Sequence, residues 1–304
     1  IWSTKKKRTE GTMRDMIKLI ASDMDGTLLD AHMSISPENA EAIRFANDAG
    51  IEFMVATGRN YQEARAALDE VGIDCAMITL NGAQVFDKTG NSLFTVPIPT
   101  LKTATVLDIL DQNEIYYEVS TNRGLYSESQ AKRIESFASM IGSHLPHLTY
   151  KMAIAMASAN LELLHINYVD SIRDLLQDET LEVLKVICFH TEGPRVLGPV
   201  GKEISELGDL AVTSSGQNNI EVNHKNAQKG IAVAHVAHDR GIELDDVMAI
   251  GDNFNDVSML QVAGVSFAMG NAEIEVKDYA KFVTDTNLES GVGKAILRAI
   301  SENL

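Results

Sequence analysis

The stretch IKLIASDMDGTLLD, residues 17–30, sets two aspartates two positions apart at the end of a short apolar run, with glycine and threonine following at once. A run of this length reads as a strand buried on both faces in a parallel sheet. Two carboxylates so close repel unless a cation or a proton accompanies them. Asp23 and Asp25 therefore read as half of a metal-assisted site, built where the strand ends.

Downstream, SPENAEAIRFANDAG (36–50) reads as a helix, with Ser36 as N-cap, Pro37 in the first turn, Ala40, Ile43 and either Ala46 or Phe45 on one face, and Gly50 as the stop. IEFMVATG (51–58) is a second apolar run, YQEARAALDEVG (61–72) a second helix and AMITLNGA (76–83) a third run. This alternation predicts an α/β fold with a Rossmann-like, doubly wound parallel sheet, whose ligands bind beyond the C-terminal ends of its strands. Residues 22–27, 57–59 and 81–82 fall at such ends.

After about residue 96 the rhythm changes. EIYYEVSTNRGLYSES reads as a hairpin about Asn122 to Gly124, QAKRIESFASMIG as a helix, LEVLKVICFH as a strand, and LAVTSSGQNNIEV as two strands joined by a Ser-Gly turn. The α/β pattern then resumes with a helix in KGIAVAHVAHDRG, a strand and loop in VMAIGDNFND, a helix in SMLQVAG and a strand in VSFAMG. One domain is thus interrupted by another: a discontinuous core of residues 16–96 and 217–304, and an α+β insertion of residues 97–216.

The formal charge of the 304-residue chain is −17, and because residues 1–15 carry a local +3, the remainder holds −20. Non-specific nucleic-acid binding by the folded part is disfavoured by that balance. Residues 1–15 read as a disordered leader or an artificial remnant, with Met13 or Met16 as candidate natural starts. No apolar run approaches the length of a membrane span. The two cysteines, Cys75 and Cys188, lack the spacing of a zinc or redox motif, which fits a reducing, cytoplasmic setting.

Four segments carry the chemistry. Asp23 and Asp25 can point to one side of the backbone, with Gly26 permitting the turn. Thr57 and Gly58 offer a hydroxyl and a close-approach backbone N–H, and Lys229 begins a helix that can bring a positive charge to the same rim. In GDNFND, Asp252, Asn255 and Asp256 offer oxygen ligands for a hard cation. Each signal has a bland reading of its own: an acidic strand-to-turn junction, a threonine ending a strand, a solvated helix lysine, an acidic turn. All four together in this order do not.

With these residues in view, the chain resembles the haloacid dehalogenase-superfamily phosphatases, specifically the Cof-like group with a type IIB cap in the later insertion position. The family's D-x-D-G-T reads DMDGT, its strand-end threonine reads ATGR, its lysine before a helix reads NAQKG, and its G-D-x-x-N-D reads GDNFND. LNGA and AMGNA also look like that group, and the resemblance runs from Met16 onward, the cap matching by position and length more than by residue.

The resemblance implies a Mg²⁺-dependent phosphomonoester hydrolase of small phosphorylated metabolites, sugar or cofactor phosphates, acting through an aspartyl-phosphate. It makes Asp23 the nucleophile and Asp25 the acid and base. It makes Asp23, the backbone carbonyl of Asp25, and Asp252 the metal ligands, with Asp256 supporting them from outside. The backbone N–H groups of Met24 and Gly58, the Thr57 hydroxyl, Lys229 and Asn255 would bind the phosphoryl oxygens. Arg59 is assigned either substrate contact or helix capping.

Other residues are read as structural. His144 with His147, and His235 with His238, are taken as surface or structural histidines, and Tyr116 and Tyr117 as strand packing. The competing functions are a phosphomutase or phosphotransferase using the same intermediate, a phospho-acceptor receiver module, and a non-catalytic binding protein.

Overall fold

The computed structural model describes residues 17–145, 147–160, 165–214 and 217–304. The expected leader, Met13, Met16 and the Ser215-Gly216 turn lie outside the described residues, as does the side chain of His144.

In chain order, the first strands are β1 (Leu19–Ser22), β2 (Glu52–Ala56), β3 (Ala76–Thr79), β4 (Gln84–Phe86) and β5 (Ser92–Thr95). Next come β6 (Tyr116–Thr121), β7 (Gly124–Ser127), β8 (Ile166–Tyr168), β9 (Val183–Phe189), β10 (Leu210–Thr213) and β11 (Asn219–His224). The chain then returns through β12 (Val247–Gly251), β13 (Val265–Ala268) and β14 (Phe282–Val283). Two sheets result, ordered β14-β13-β12-β1-β2-β3-β4-β5 and β10-β11-β9-β6-β7-β8.

From β14 to β3 the first sheet is parallel, and helices cover both faces. That is why β1 is buried at all four positions, with no alternation to mark an outer face. The helix Pro37–Asp48 is capped as the sequence predicts, the Asn39 N–H donating to Ser36 Oγ at 3.2 Å. Its inward face is Ala40, Ile43 and Ala46, while Phe45 is exposed. The antiparallel edge hairpin β4–β5 is not anticipated in the sequence reading. Its turn is an aspartate turn: the N–H groups of Thr89 and Asn91 donate to Asp87 Oδ1 at 2.8 and 2.9 Å.

In the second sheet all pairs are antiparallel except β7–β8. Alternation sorts its side chains into two faces. Tyr117, Val119, Val186, Cys188, Ile220 and Val222 pack against helices Thr100–Gln112 and Pro194–Glu206. The opposite face carries Glu118, Ser120, Lys185, Glu221 and Asn223, all buried. The expected domain boundary between residues 216 and 217 falls inside the hairpin of β10 and β11. Those strands pair from Leu210↔His224 to Thr213↔Glu221, so the second sheet continues to His224.

Candidate active site

The parallel strands deliver their C-terminal ends to one rim. Beyond β1, the Asp23 N–H donates to the Ile250 carbonyl of β12 at 2.9 Å, so ladder pairing carries on into the first aspartate. Beyond β2, the Thr57 N–H donates to the Ile78 carbonyl at 2.9 Å. Asp252 follows β12 directly, and Lys229 is the first residue of the helix Lys229–Asp239.

Four charged side chains meet there, with Asp23, Lys229 and Asp256 buried and Asp252 half-buried. Lys229 Nζ lies 2.5 Å from Asp23 Oδ1 and 2.6 Å from Asp256 Oδ1. Carboxylate oxygens of Asp23, Asp252 and Asp256 lie within 4.8 Å of one another. Three carboxylates thus share one ammonium, an excess of negative charge that a divalent cation complements. Burial pushes the Asp23 carboxyl well above the usual carboxylate range; the charge of Asp256 adds to this, and Lys229 opposes it. Asp252 is pushed up to about 6, first by burial, with the Thr27 hydrogen bond opposing. Burial disfavours the Lys229 charge, but Asp23 and Asp256 outweigh it and hold the ammonium above its ordinary range. The donor set therefore fits a hard cation.

The aspartates are not equivalent within this cluster. Asp256 is fully occupied: besides Lys229 on Oδ1, its Oδ2 accepts from the backbone N–H groups of Asp252 and Asn253 at 2.9 and 3.0 Å. Asp252 accepts the Thr27 hydroxyl on Oδ1 at 2.6 Å. Gly26, at φ +79°, must be glycine for a second reason, since a β-carbon there would come within 2.4 Å of Asp252 Oδ2.

Asp25 stands apart. Its half-exposed carboxylate is held bidentately by Arg59, with Nη2–Oδ1 at 2.6 Å and Nε–Oδ2 at 2.9 Å. Arg59 is thus neither a cap nor free in this structure. The Thr57 hydroxyl accepts the Arg59 N–H at 3.1 Å, and the Met24 side chain is buried in the core. Asn255 reaches the rim, but its Nδ2 is given to Asn81 Oδ1 at 3.1 Å while its Oδ1 is buried without a partner. Its expected donation to a phosphoryl oxygen would use the second proton of the same amide nitrogen.

Between the two sheets lies a cleft of about 430 Å³, onto which Asp23, Asp25, Gly58, Arg59 and Asn255 open. Four of its walls come from residues given no role above. Asn81, held at φ +61°, donates from Nδ2 to Glu221 Oε2 at 2.9 Å. Lys185 Nζ lies 3.5 Å from Glu221 Oε1 and donates to the Gly58 carbonyl at 3.1 Å. Glu63, from the helix Tyr61–Glu70, completes the set. Their signals were present: Lys185 and Glu221 are charges embedded in apolar strands, and Asn81-Gly82 is a strand-end pair suited to positive φ.

Tyr116 donates its hydroxyl to Glu118 Oε1 at 2.6 Å, and Tyr117 packs in the second sheet's core. His235 and His238 both lie beside Asp239, at 3.2 and 3.4 Å, on the surface.

Comparison with known proteins gives a consistent result. A family model described as haloacid dehalogenase-like hydrolase matches residues 20–296. Phosphatase YwpJ of Bacillus subtilis is 32% identical over 278 residues, covering 91% of this chain and 97% of the relative. The 5-amino-6-(5-phospho-D-ribitylamino)uracil phosphatase YwtE of the same organism is 34% identical over 288 residues, covering 94% and 99%. A solved haloacid dehalogenase-like hydrolase from B. subtilis superposes with a TM-score of 0.81 at 31% identity, covering 92% of this chain and 99% of that one.

Proposed function

The chain belongs to the haloacid dehalogenase-like hydrolase family and is a phosphatase of its Cof-like group, and we propose that it hydrolyses small phosphomonoesters with Mg²⁺ through a phosphorylated Asp23. The observation that carries this reading is the cluster of Asp23, Lys229, Asp252 and Asp256 at the cleft between the two sheets. Relatives whose names specify a ribitylaminouracil phosphate or pyridoxal phosphate support small phosphorylated metabolites as the substrate range.

In the first step an Asp23 oxygen forms a bond to phosphorus while the bond from phosphorus to the leaving oxygen breaks, and Asp25 supplies the proton to that oxygen. In the second, Asp25 takes a proton from water, which attacks phosphorus and frees Asp23 with inorganic phosphate. Lys229 holds Asp23 and neutralises charge at the phosphoryl group, and the Thr57 hydroxyl and the Met24 and Gly58 N–H groups bind its oxygens. Mg²⁺, held by the Asp23 carboxylate, the Asp25 carbonyl and Asp252, would neutralise the phosphoryl charge that otherwise repels a carboxylate nucleophile. Asp256 orients the Asp252 and Asn253 backbone from behind. Proton transfer from Asp25 requires Arg59 to exchange its contact for one with substrate.

In domain terms, we divide the chain into a core of residues 16–96 and 225–304 and a cap of 97–224, the hairpin β10–β11 staying whole. A reducing, cytoplasmic setting is supported by Cys75 and Cys188, both buried and unpaired. The test is phosphate release from p-nitrophenyl phosphate and a sugar and cofactor phosphate panel, with Mg²⁺ or EDTA, for the parent and Asp23→Asn. Metal-dependent release equal to substrate lost, absent in the variant, is expected. A phosphorylated product in place of free phosphate would instead identify a phosphotransferase.

A further inference from the structure

Resting on the phosphatase reading, we infer that the Lys185–Glu221 pair of the second sheet reads the hydroxyl groups of a polyhydroxylated aliphatic leaving group attached directly to the phosphate. Lys185 and Glu221 are each 6% exposed and form an ion pair on the sheet face turned to the cleft. Burying such a pair carries a desolvation cost that an apolar pair would avoid. Its position gives that cost a use. Lys185 donates to the carbonyl of Gly58, whose own N–H belongs to the proposed phosphoryl cradle, so the pair flanks the leaving-group carbons beyond the phosphate.

Three features select the chemistry of those atoms. First, every described residue lining the cleft is polar or glycine, and none offers an aromatic face or an aliphatic wall. A planar ring joined directly to the phosphate-bearing carbon would find nothing to stack on. The nearby aromatic Phe254 lines an adjoining cavity, which meets the cleft at Asn81, Thr213 and Asn255. Second, the cleft carries no net positive charge: Glu221 offsets Lys185, Asp25 offsets Arg59, and Glu63 adds another carboxylate. A lone lysine would invite a second anionic group, whereas this wall repels one and suits neutral hydroxyls. Third, the pair offers donors and acceptors together. Lys185 has three ammonium protons, each carboxylate oxygen of Glu221 has more than one acceptor site, and Asn81 fixes Oε2 at 2.9 Å. A hydroxyl is both donor and acceptor, so one pair can engage neighbouring hydroxyls on a carbon chain.

The experiment compares ribose 5-phosphate, 2-deoxyribose 5-phosphate, pyridoxal 5′-phosphate, fructose 1,6-bisphosphate and p-nitrophenyl phosphate in the parent, Lys185→Met and Glu221→Gln. For the parent, kcat/KM for ribose 5-phosphate is expected to exceed that for its deoxy analogue, pyridoxal phosphate and the bisphosphate by roughly tenfold or more, since sites built to bond a hydroxyl reject analogues lacking it. Each variant is expected to shrink the ribose-to-deoxyribose ratio by about tenfold, mainly through KM.

If both variants lower every substrate in the same proportion, the pair merely holds the two sheets together and the inference falls. It also falls if the parent favours pyridoxal phosphate or the bisphosphate. Calorimetric binding of ribose and 2-deoxyribose 5-phosphates to Asp23→Asn gives the same comparison without turnover. A parent that releases no phosphate from any substrate yet shows the ribose preference in binding would overturn the hydrolase reading and leave this one standing. Equal binding of the two sugars overturns this one alone.

Discussion

The two sheets meet the cleft in opposite ways. The core sheet brings Asp23, Lys229, Asp252 and Asp256 from segments more than 200 residues apart into one buried cluster, where each side chain is fixed by another. The cap sheet presents a polar face that meets the core through hydrogen bonds such as Lys185 to Gly58, Asn223 to Leu80 and Asn81 to Glu221, with Leu184 packed against Leu80 and Ala83. Over-determined geometry suits phosphoryl chemistry, which is the same for every phosphomonoester. A polar face that carries no part of the phosphoryl cluster suits the part of a substrate that differs from one metabolite to the next.

The largest expected effect tests that division directly. Asp23→Asn should lower turnover by about a thousandfold or more for every substrate alike, because it removes the nucleophile and spares the cap. Substrate-dependent losses in steady-state assays would break the division between common chemistry and variable recognition. Next in size is Lys229→Met, which leaves Asp23 and Asp256 buried without their shared cation. Chemical denaturation should show a loss of about 3–5 kcal/mol, the range for breaking a buried charge pair, with Mg²⁺ restoring part of it. A variant as stable as the parent in EDTA would mean the carboxylates are not held together by that lysine.

A smaller effect is expected at the stitching. The Asn223 side chain donates to the Leu80 carbonyl of the core at 3.2 Å and the Leu184 carbonyl of the cap at 3.0 Å. Asn223→Ala should cost about 1–3 kcal/mol for the buried carbonyls left short. Activity should fall in equal proportion for all substrates, in contrast to the selective loss expected at Lys185 and Glu221. A selective loss at Asn223 would extend the reading face across β11.

The contrast also explains what the sequence disclosed. The β1 run, the Ser36 cap and the D-x-D-G-T turn were legible because burial on both faces, capping and a sharp turn each leave a local mark. The cluster residues were legible as types, but their mutual distances depend on tertiary folding and had no local signature. Lys185 and Glu221 were passed over because a charge inside an apolar strand looks the same whether it faces solvent or a cleft. Only the pairing of β9 with β6 and β11 decides which face it takes. The same pairing carries the second sheet to His224, past the expected boundary at 216, since a turn sequence marks a hairpin without saying which sheet its second strand joins.

The smallest effect is a pH dependence that should belong to the core alone. Asp252 is raised from 3.8 to about 6 in the folded protein, chiefly by burial, and Asp23 is raised too. The fold therefore holds these protons more tightly than the unfolded chain does. This contribution to stability is complete below about pH 4 and is lost as pH rises through about 6. The carboxylates held low on the surface, Asp178 and Asp209 at about 2, change protonation below this window and do not obscure it. Mg²⁺ requires the ionised carboxylates, so its stabilisation should run the other way, a larger rise in Tm at pH 7.5 than at pH 5. Because the proposed metal ligands all lie in the core, Glu221→Gln should leave that pH dependence of the Mg²⁺ increment intact. An increment equal at the two pH values in the parent would place the cation elsewhere. One that flattens only in Glu221→Gln would show that the cap wall and the metal site are electrostatically coupled.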